Sequence, residues 1–140
     1  MARTAKNEKA LTPEEKLAQA LVPDVEQPYR VPGNWCWTYL RTIADILNGF
    51  AFKSANYVDS GIRIIRIANV QDGYVEDDAP VYYPINSQQE IKRFLLQEND
   101  LLISLTGNVG RVALLPLSFL PAALNQRVAC LRITSECIIK

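Results

Sequence analysis

The chain contains no histidine. That absence removes Ser-His-Asp and Cys-His nucleophile pairs and every histidine-containing metal site. Cysteine is scarce: Cys36, Cys130 and Cys137 are odd in number and form no C-x-x-C pair. Neither a zinc knuckle nor a disulfide framework follows, and small apolar thiols in a reducing compartment are the expectation. Long hydrophobic runs are missing too. The richest stretches, Ile62 to Val70 and Val112 to Leu124, are interrupted by Arg or Pro or too short to span a bilayer. Met1 to Lys9 is charged and lacks the apolar core of a secretory signal. A cytoplasmic protein with no membrane partner is therefore expected. Nor is there an excess of one charge, with 15 basic against 15 acidic residues. A domain that grips nucleic acid by bulk electrostatics is usually more basic, so any DNA contact needs a local basic face or a partner's help.

What is present suits one globular domain. The 140 residues are 49% hydrophobic and 21% charged, ordinary values for a packed chain. Charge is unevenly spread. Residues 74–100 carry two basic and six acidic groups, whereas residues 101–140 carry four basic and one acidic. Thr12-Pro13-Glu14-Glu15 is a capping box that opens a short helix, with Leu17 and Leu21 as a narrow apolar stripe. Val22-Pro23 ends it, and Pro28, Pro32 and Gly33 mark a linker.

Downstream the pattern is strand-like. Trp37 to Leu40 is predicted as a short strand, and Thr42 to Leu47 as a helical turn ending at Asn48-Gly49. Gly61 to Val70 reads as a half-buried strand with an irregularity at Ile64-Ile65, and Pro80 to Tyr83 as a brief strand. Ser87-x-x-Glu90 is a second capping box, predicting a helix with Ile91, Phe94 and Leu95 on its apolar face. Leu101 to Leu105, Val112 to Leu115 and Val128 to Ile133 complete the strands. The fold class is α+β: a single compact domain with a mixed or antiparallel, strongly bent sheet and short helices, preceded by a short N-terminal helix.

Several motifs offer chemistry beside a plainer reading. In Thr106-Gly107-Asn108-Val109-Gly110-Arg111, amides around two glycines could receive a phosphate oxygen, or the glycines simply supply positive φ to a hairpin turn. It is not a Walker loop, since no Lys-Ser/Thr follows the second glycine. A G-x-x-G clamp would need a following helix, and Val112 to Pro116 does not suit one. Asn125-Gln126-Arg127 groups side chains that pair with adenine, guanine or phosphate, although such an Asn also caps its own backbone. Lys53-Ser54, Arg63 and Arg66 add polar and basic groups; in a regular strand Arg63 and Arg66 face opposite sides. Glu76-Asp77-Asp78 lacks the alternating spacing of a calcium loop and reads as a solvated loop. The carboxylates of Asp24, Glu26 and Glu90 lie in predicted linker or helix, so no persuasive catalytic constellation emerges.

Five motifs in order resemble a known family. Pro28-Tyr29-Arg30-Val31-Pro32-Gly33-Asn34-Trp35-Cys36-Trp37 leading to Leu40 is the first. Gly49-Phe50-Ala51-Phe52-Lys53-Ser54 followed by Tyr57 is the second, and Gly61 to Gly73, reading GIRIIRIANVQDG, the third. Glu98 to Arg111, with its D-L-L-I-S-L-T-G-N-V-G-R core, is the fourth, and Asn125-Gln126-Arg127-Val128 the fifth. Together they resemble a target-recognition domain of the DNA-specificity subunit of type I restriction–modification enzymes.

The resemblance implies residues 1–27 as an N-terminal tail with a short helix and linker, and residues 28–140 as the target-recognition domain, incomplete at its C-terminus. It implies sequence-specific binding of double-stranded DNA and no catalysis by this chain. Methyltransferase subunits would flip and methylate adenine at N6, and a restriction subunit would cut. S-adenosylmethionine and ATP with Mg²⁺ would sit on those partners, with no cofactor or metal on this chain. A half-subunit that pairs with itself is a further implied state. Candidate DNA contacts are Lys53, Ser54, Arg66, Thr106, Asn108, Arg111, Gln126 and Arg127. Gly107 and Gly110 are expected in a turn, and Trp35, Trp37, Phe50 and Phe52 in packing. A metal-dependent nuclease and a protein-interaction module without DNA are the alternatives.

Overall fold

The computed structural model describes residues 11–134, and Cys137 lies outside that range. The chain forms two compact units, Met1–Thr42 and Ile43–Lys140.

The first unit contains helix α1, Pro13–Ala20. The predicted capping box forms: Thr12 Oγ1 accepts from the Glu15 amide at 3.2 Å, and Glu15 Oε2 accepts from the Thr12 amide at 2.8 Å. These bonds satisfy helix-terminal donors that would otherwise lack partners. No residue of α1 is buried. Past the helix, the Val22 amide bonds Trp37 O at 2.9 Å and Thr38 Oγ1 donates to Ala20 O at 2.7 Å. The strand predicted over Trp37 to Leu40 is reduced to one bridge, Leu21 with Thr38, before a 3-10 turn at Leu40–Thr42. Tyr29 and Trp37 meet edge to face at 4.9 Å, and the Trp37 indole donates to Tyr29 O. Trp35, expected in packing, is 68% exposed.

The described residues of the second unit form seven strands: β1 Ala44–Asn48, β2 Ile62–Ile65, β3 Tyr82–Tyr83, β4 Leu101–Ser104, β5 Val112–Leu114, β6 Ala122–Leu124 and β7 Val128–Ile133. They form a four-stranded antiparallel sheet, β1-β7-β4-β5, and a three-stranded mixed sheet, β3-β2-β6. The single strongly bent sheet of the sequence reading is thus replaced by two sheets, neither closed nor strongly curled. The mixed α and β class stands.

One core cluster takes Leu102, Ala113, Val128 and Cys130 from the four-stranded sheet and Ile65, Ala122 and Leu124 from the three-stranded one. A second takes Ile62, Ile64 and Ala123 from the other face of the three-stranded sheet, with Phe52 and Ile91. Successive strand residues point to opposite faces, so Ile64 and Ile65 serve different cores. That accounts for the doubled isoleucine: β2 runs regularly through it. The strand then stops at Ile65 and a 3-10 turn follows at Ile67–Asn69, so side-chain parity does not extend from Arg63 to Arg66.

Two further predictions differ. The helical turn expected at Thr42 to Leu47 is strand β1, whose five residues all pair with β7. The helix expected after Ser87 is instead a pair of 3-10 turns, Ile85–Ser87 and Lys92–Phe94. Its apolar residues still pack on the second core. The chain must be extended by Leu95, because Leu95 bridges Ala123 and the Leu96 amide bonds Ala122 O. Too few residues remain to offset the cost of nucleating a helix.

Candidate nucleic-acid interface

Strand register determines which loops meet in the second unit. Asn48, the last residue of β1, pairs with Ala129 near the start of β7. Ser104, the last of β4, pairs with Val128, and Ile103 pairs with Val112 at the start of β5. Ile65 and Leu124 pair in parallel at the ends of β2 and β6. The segments after β1, β2, β4 and β6 therefore leave the sheets at a shared end. Those segments contain all eight candidates.

Backbone bonds tie the segments together. The Phe50 amide donates to Leu124 O at 2.9 Å, and the Gln126 amide donates to Phe50 O at 3.0 Å. The Asn125 amide donates to Ile65 O, one residue before Arg66, at 3.1 Å. The Leu105 amide donates to Arg127 O at 3.1 Å, joining the β4–β5 turn to the β6–β7 turn. Within the β4–β5 turn, Gly107 and Gly110 take φ of 67° and 87°, the positive values expected of them.

The candidates differ in freedom. Lys53, Ser54, Thr106, Asn108, Gln126 and Arg127 are exposed. Arg66 is folded back: its Nη2 donates to Ala79 O at 2.7 Å, and its Nε is buried without a partner. Half-buried Arg111 donates from Nη1 to Gln71 Oε1 at 2.7 Å. Arg63 and Arg132 are instead consumed in ion pairs, with Asp77 at 2.8 Å and Asp100 at 2.7 Å. Asp77 is thereby a structural member of the acidic loop, also accepting from Asn69 Nδ2. Phe50 and Phe52 pack edge to face at 5.1 Å, as expected of packing residues, although Phe50 remains 41% exposed.

Sequence reasoning missed three residues that organise this end. Ser104 is 1% exposed; its hydroxyl donates to Asn108 O and accepts from the Arg111 amide. Asn69, 3% exposed, accepts from the Arg66 amide and donates to Glu76 O and Asp77. Gln71 holds Arg111. Their only signal was a polar residue beside an apolar run, which many surface positions share. Chemically, the shared end offers guanidinium, amide and hydroxyl groups of the kinds that take phosphate oxygens and base edges. The neighbours of Lys53 and Ser54, Phe52 and Asn56, instead contact Tyr83 beside the start of β2. Asp72 adds one carboxylate to the Gln71 loop. Among the described residues, no three metal-binding side chains cluster, and no helix is long and apolar enough to cross a membrane.

No family model matches the chain. It is 37% identical over 112 residues to the type I restriction enzyme EcoAI specificity subunit of Escherichia coli, covering 77% of this chain and 19% of that one. It is 25% identical over 114 residues to the type I restriction enzyme MjaVIII specificity subunit of Methanocaldococcus jannaschii, covering 79% and 27%. The chain thus spans about a fifth to a quarter of these relatives. The crystal structure of the HsdS subunit from Thermoanaerobacter tengcongensis shares the fold with a TM-score of 0.62 at 20% identity, covering 88% of this chain and 29% of that one. A structure described for complex assembly and conformational transition of the type I R-M system gives 0.59 at 21% identity, covering 77% and 26%. This chain belongs to the family of type I restriction enzyme specificity subunits, to which it is homologous over most of its length.

Proposed function

We propose that this chain reads DNA sequence, as a target-recognition domain that directs adenine-N6 methylation and restriction by partner subunits. The observation that carries the reading is that Arg66, Thr106, Asn108, Arg111, Gln126 and Arg127 lie on segments that leave the sheets at one end of the second unit, with Lys53 and Ser54 farther along the segment that follows β1. Homology to specificity subunits supports it from an independent direction. The chain itself performs no chemistry in this reading. Double-stranded DNA is its ligand, and methyltransferase and restriction subunits are its partners, carrying S-adenosylmethionine, ATP and Mg²⁺. Residues 28–140 form the reading domain, with residues 1–27 as its lead.

Division of labour follows from the side chains. Lys53 and Arg127 sit on exposed segments and supply charge to the phosphate backbone. Asn108 and Gln126 carry amides that can pair bidentately with adenine, and each such pair contributes about 1–3 kcal/mol of discrimination. A near-neutral chain gains DNA affinity from this local face and from partners that share phosphate contacts.

Base-resolution mapping of N6-methyladenine in the native strain, with the gene intact and deleted, tests this. Loss of methylation at one bipartite motif is expected. An unchanged methylome with the gene expressed would sink the proposal.

A further inference from the structure

We infer that Gln71 is a positioning residue for Arg111, aiming its guanidinium at DNA without cancelling its charge; this rests on the DNA-reading role proposed above. The two residues are 40 positions apart and meet through a 2.7 Å bond from Arg111 Nη1 to Gln71 Oε1. Gln71 is itself held. Its Nε2 donates to Ala68 O at 2.8 Å, which commits the amide nitrogen and turns the oxygen toward Arg111. Its backbone amide bonds Tyr74 O, and the Gly73 amide donates to Val112 O at 2.8 Å, pinning this loop to β5.

Arg111 is held at its other end as well. Its amide donates to Ser104 Oγ at 3.0 Å and its carbonyl accepts from the Ser104 amide at 3.0 Å. Both ends of a long, rotamer-rich side chain are therefore fixed before any ligand arrives, so less ordering is needed on binding. The choice of partner is informative. Arg63 and Arg132 meet carboxylates, which neutralise them. Gln71 supplies the same hydrogen-bond acceptor with no charge. Arg111 thus keeps its full positive charge, and among the described residues its Nε and Nη2 have no partner. A planar fork with donors to spare suits a guanine edge or a phosphate.

The experiment titrates the full chain with a fluorescent pool of short random-sequence duplexes across a salt series. Gln71→Ala leaves the charge but frees the side chain, so affinity should fall about 3- to 10-fold at an unchanged salt slope. Gln71→Glu, nearly isosteric, should behave as Arg111→Ala does, lowering the slope by about one. A residue that merely ties the loop would leave the slope of Gln71→Glu at the wild-type value. If Gln71→Ala fails to fold, the slope of Gln71→Glu alone decides. Wild-type affinity and slope in both Gln71 variants, with Arg111→Ala weakened, would overturn this inference and leave the DNA role intact. Arg111→Ala and Arg127→Ala both binding as wild type would remove the DNA role, and this inference with it.

Discussion

Gly49 lies against the backbone of Asn125 so closely that a Cβ added to it would sit 2.0 Å from the Asn125 carbonyl oxygen. The same Cβ would meet Gln126 N at 2.8 Å, so no flexible side chain can yield. Gly49→Ala should therefore push the turn over residues 125–127 away from the Phe50 segment. An overpacking cost of about 1–3 kcal/mol is expected. Urea unfolding would show it, together with weakened DNA binding. A variant as stable as wild type would mean that the approach is looser than these distances.

Arg132 and Asp100 form a two-pronged pair, Nε to Oδ1 at 2.9 Å and Nη2 to Oδ2 at 2.7 Å. The Asp100 side chain is 2% exposed, and hydrogen bonding to it raises the Arg132 pKa above its ordinary value. Arg132→Ala would strand a buried carboxylate, at a cost of about 3 kcal/mol. Denaturant unfolding should show a lower midpoint, and a change below measurement error would contradict the pair's structural role.

Cys130 is fully buried, and desolvation together with nearby Asp100 pushes its thiol up to about 12. Cys36 is exposed. Maleimide at mild pH, read by peptide mass, should modify Cys36 in the folded chain and reach Cys130 only after denaturation. The linkage has a definite sign. The folded thiol holds its proton more tightly than the unfolded one, whose ordinary value is 9.0, so this contribution is present below about 9 and fades as pH rises toward about 12. Cys130→Ala should show a shallower alkaline loss of stability than wild type, and parallel curves would refute the assignment.

Lys53 and Arg63 carry the same charge and should respond oppositely. Arg63 pairs with Asp77, whose side chain is 2% exposed, and it stacks over the Phe119 ring at 4.9 Å. Arg63→Ala should lower stability by about 2–3 kcal/mol. Exposed Lys53 is a surface charge, so Lys53→Ala should leave stability within about 0.5 kcal/mol. Its DNA salt slope should fall by about one, the expected change for a lost phosphate contact. Thermal melts and salt titrations of the two variants separate these effects, and a Lys53 slope equal to wild type would take that residue off the face.

The elements that were legible in the sequence are those whose instructions are local. The Thr12 capping box and the paired glycines of the β4–β5 turn each act within a few residues, and the apolar run of β7 marks a strand although its burial does not alternate. The family motifs were equally legible, and with them the membership that the comparison with specificity subunits establishes. Tertiary structure alone decided the rest. Strand β6 reads Ala-Ala-Leu and is buried on both faces, so it shows no alternation to detect. Strand β1 has a weak pattern of its own, and its pairing along β7 overrides local preference. Basic residues look alike in a sequence. Whether one is neutralised, as Arg63 is by Asp77, or held with its charge intact, as Arg111 is by Gln71, depends on what long-range pairing brings within hydrogen-bond reach. Local sequence sets which turns and caps are favourable, whereas strand register sets which distant side chains share an end, because register is settled by burial across whole sheets.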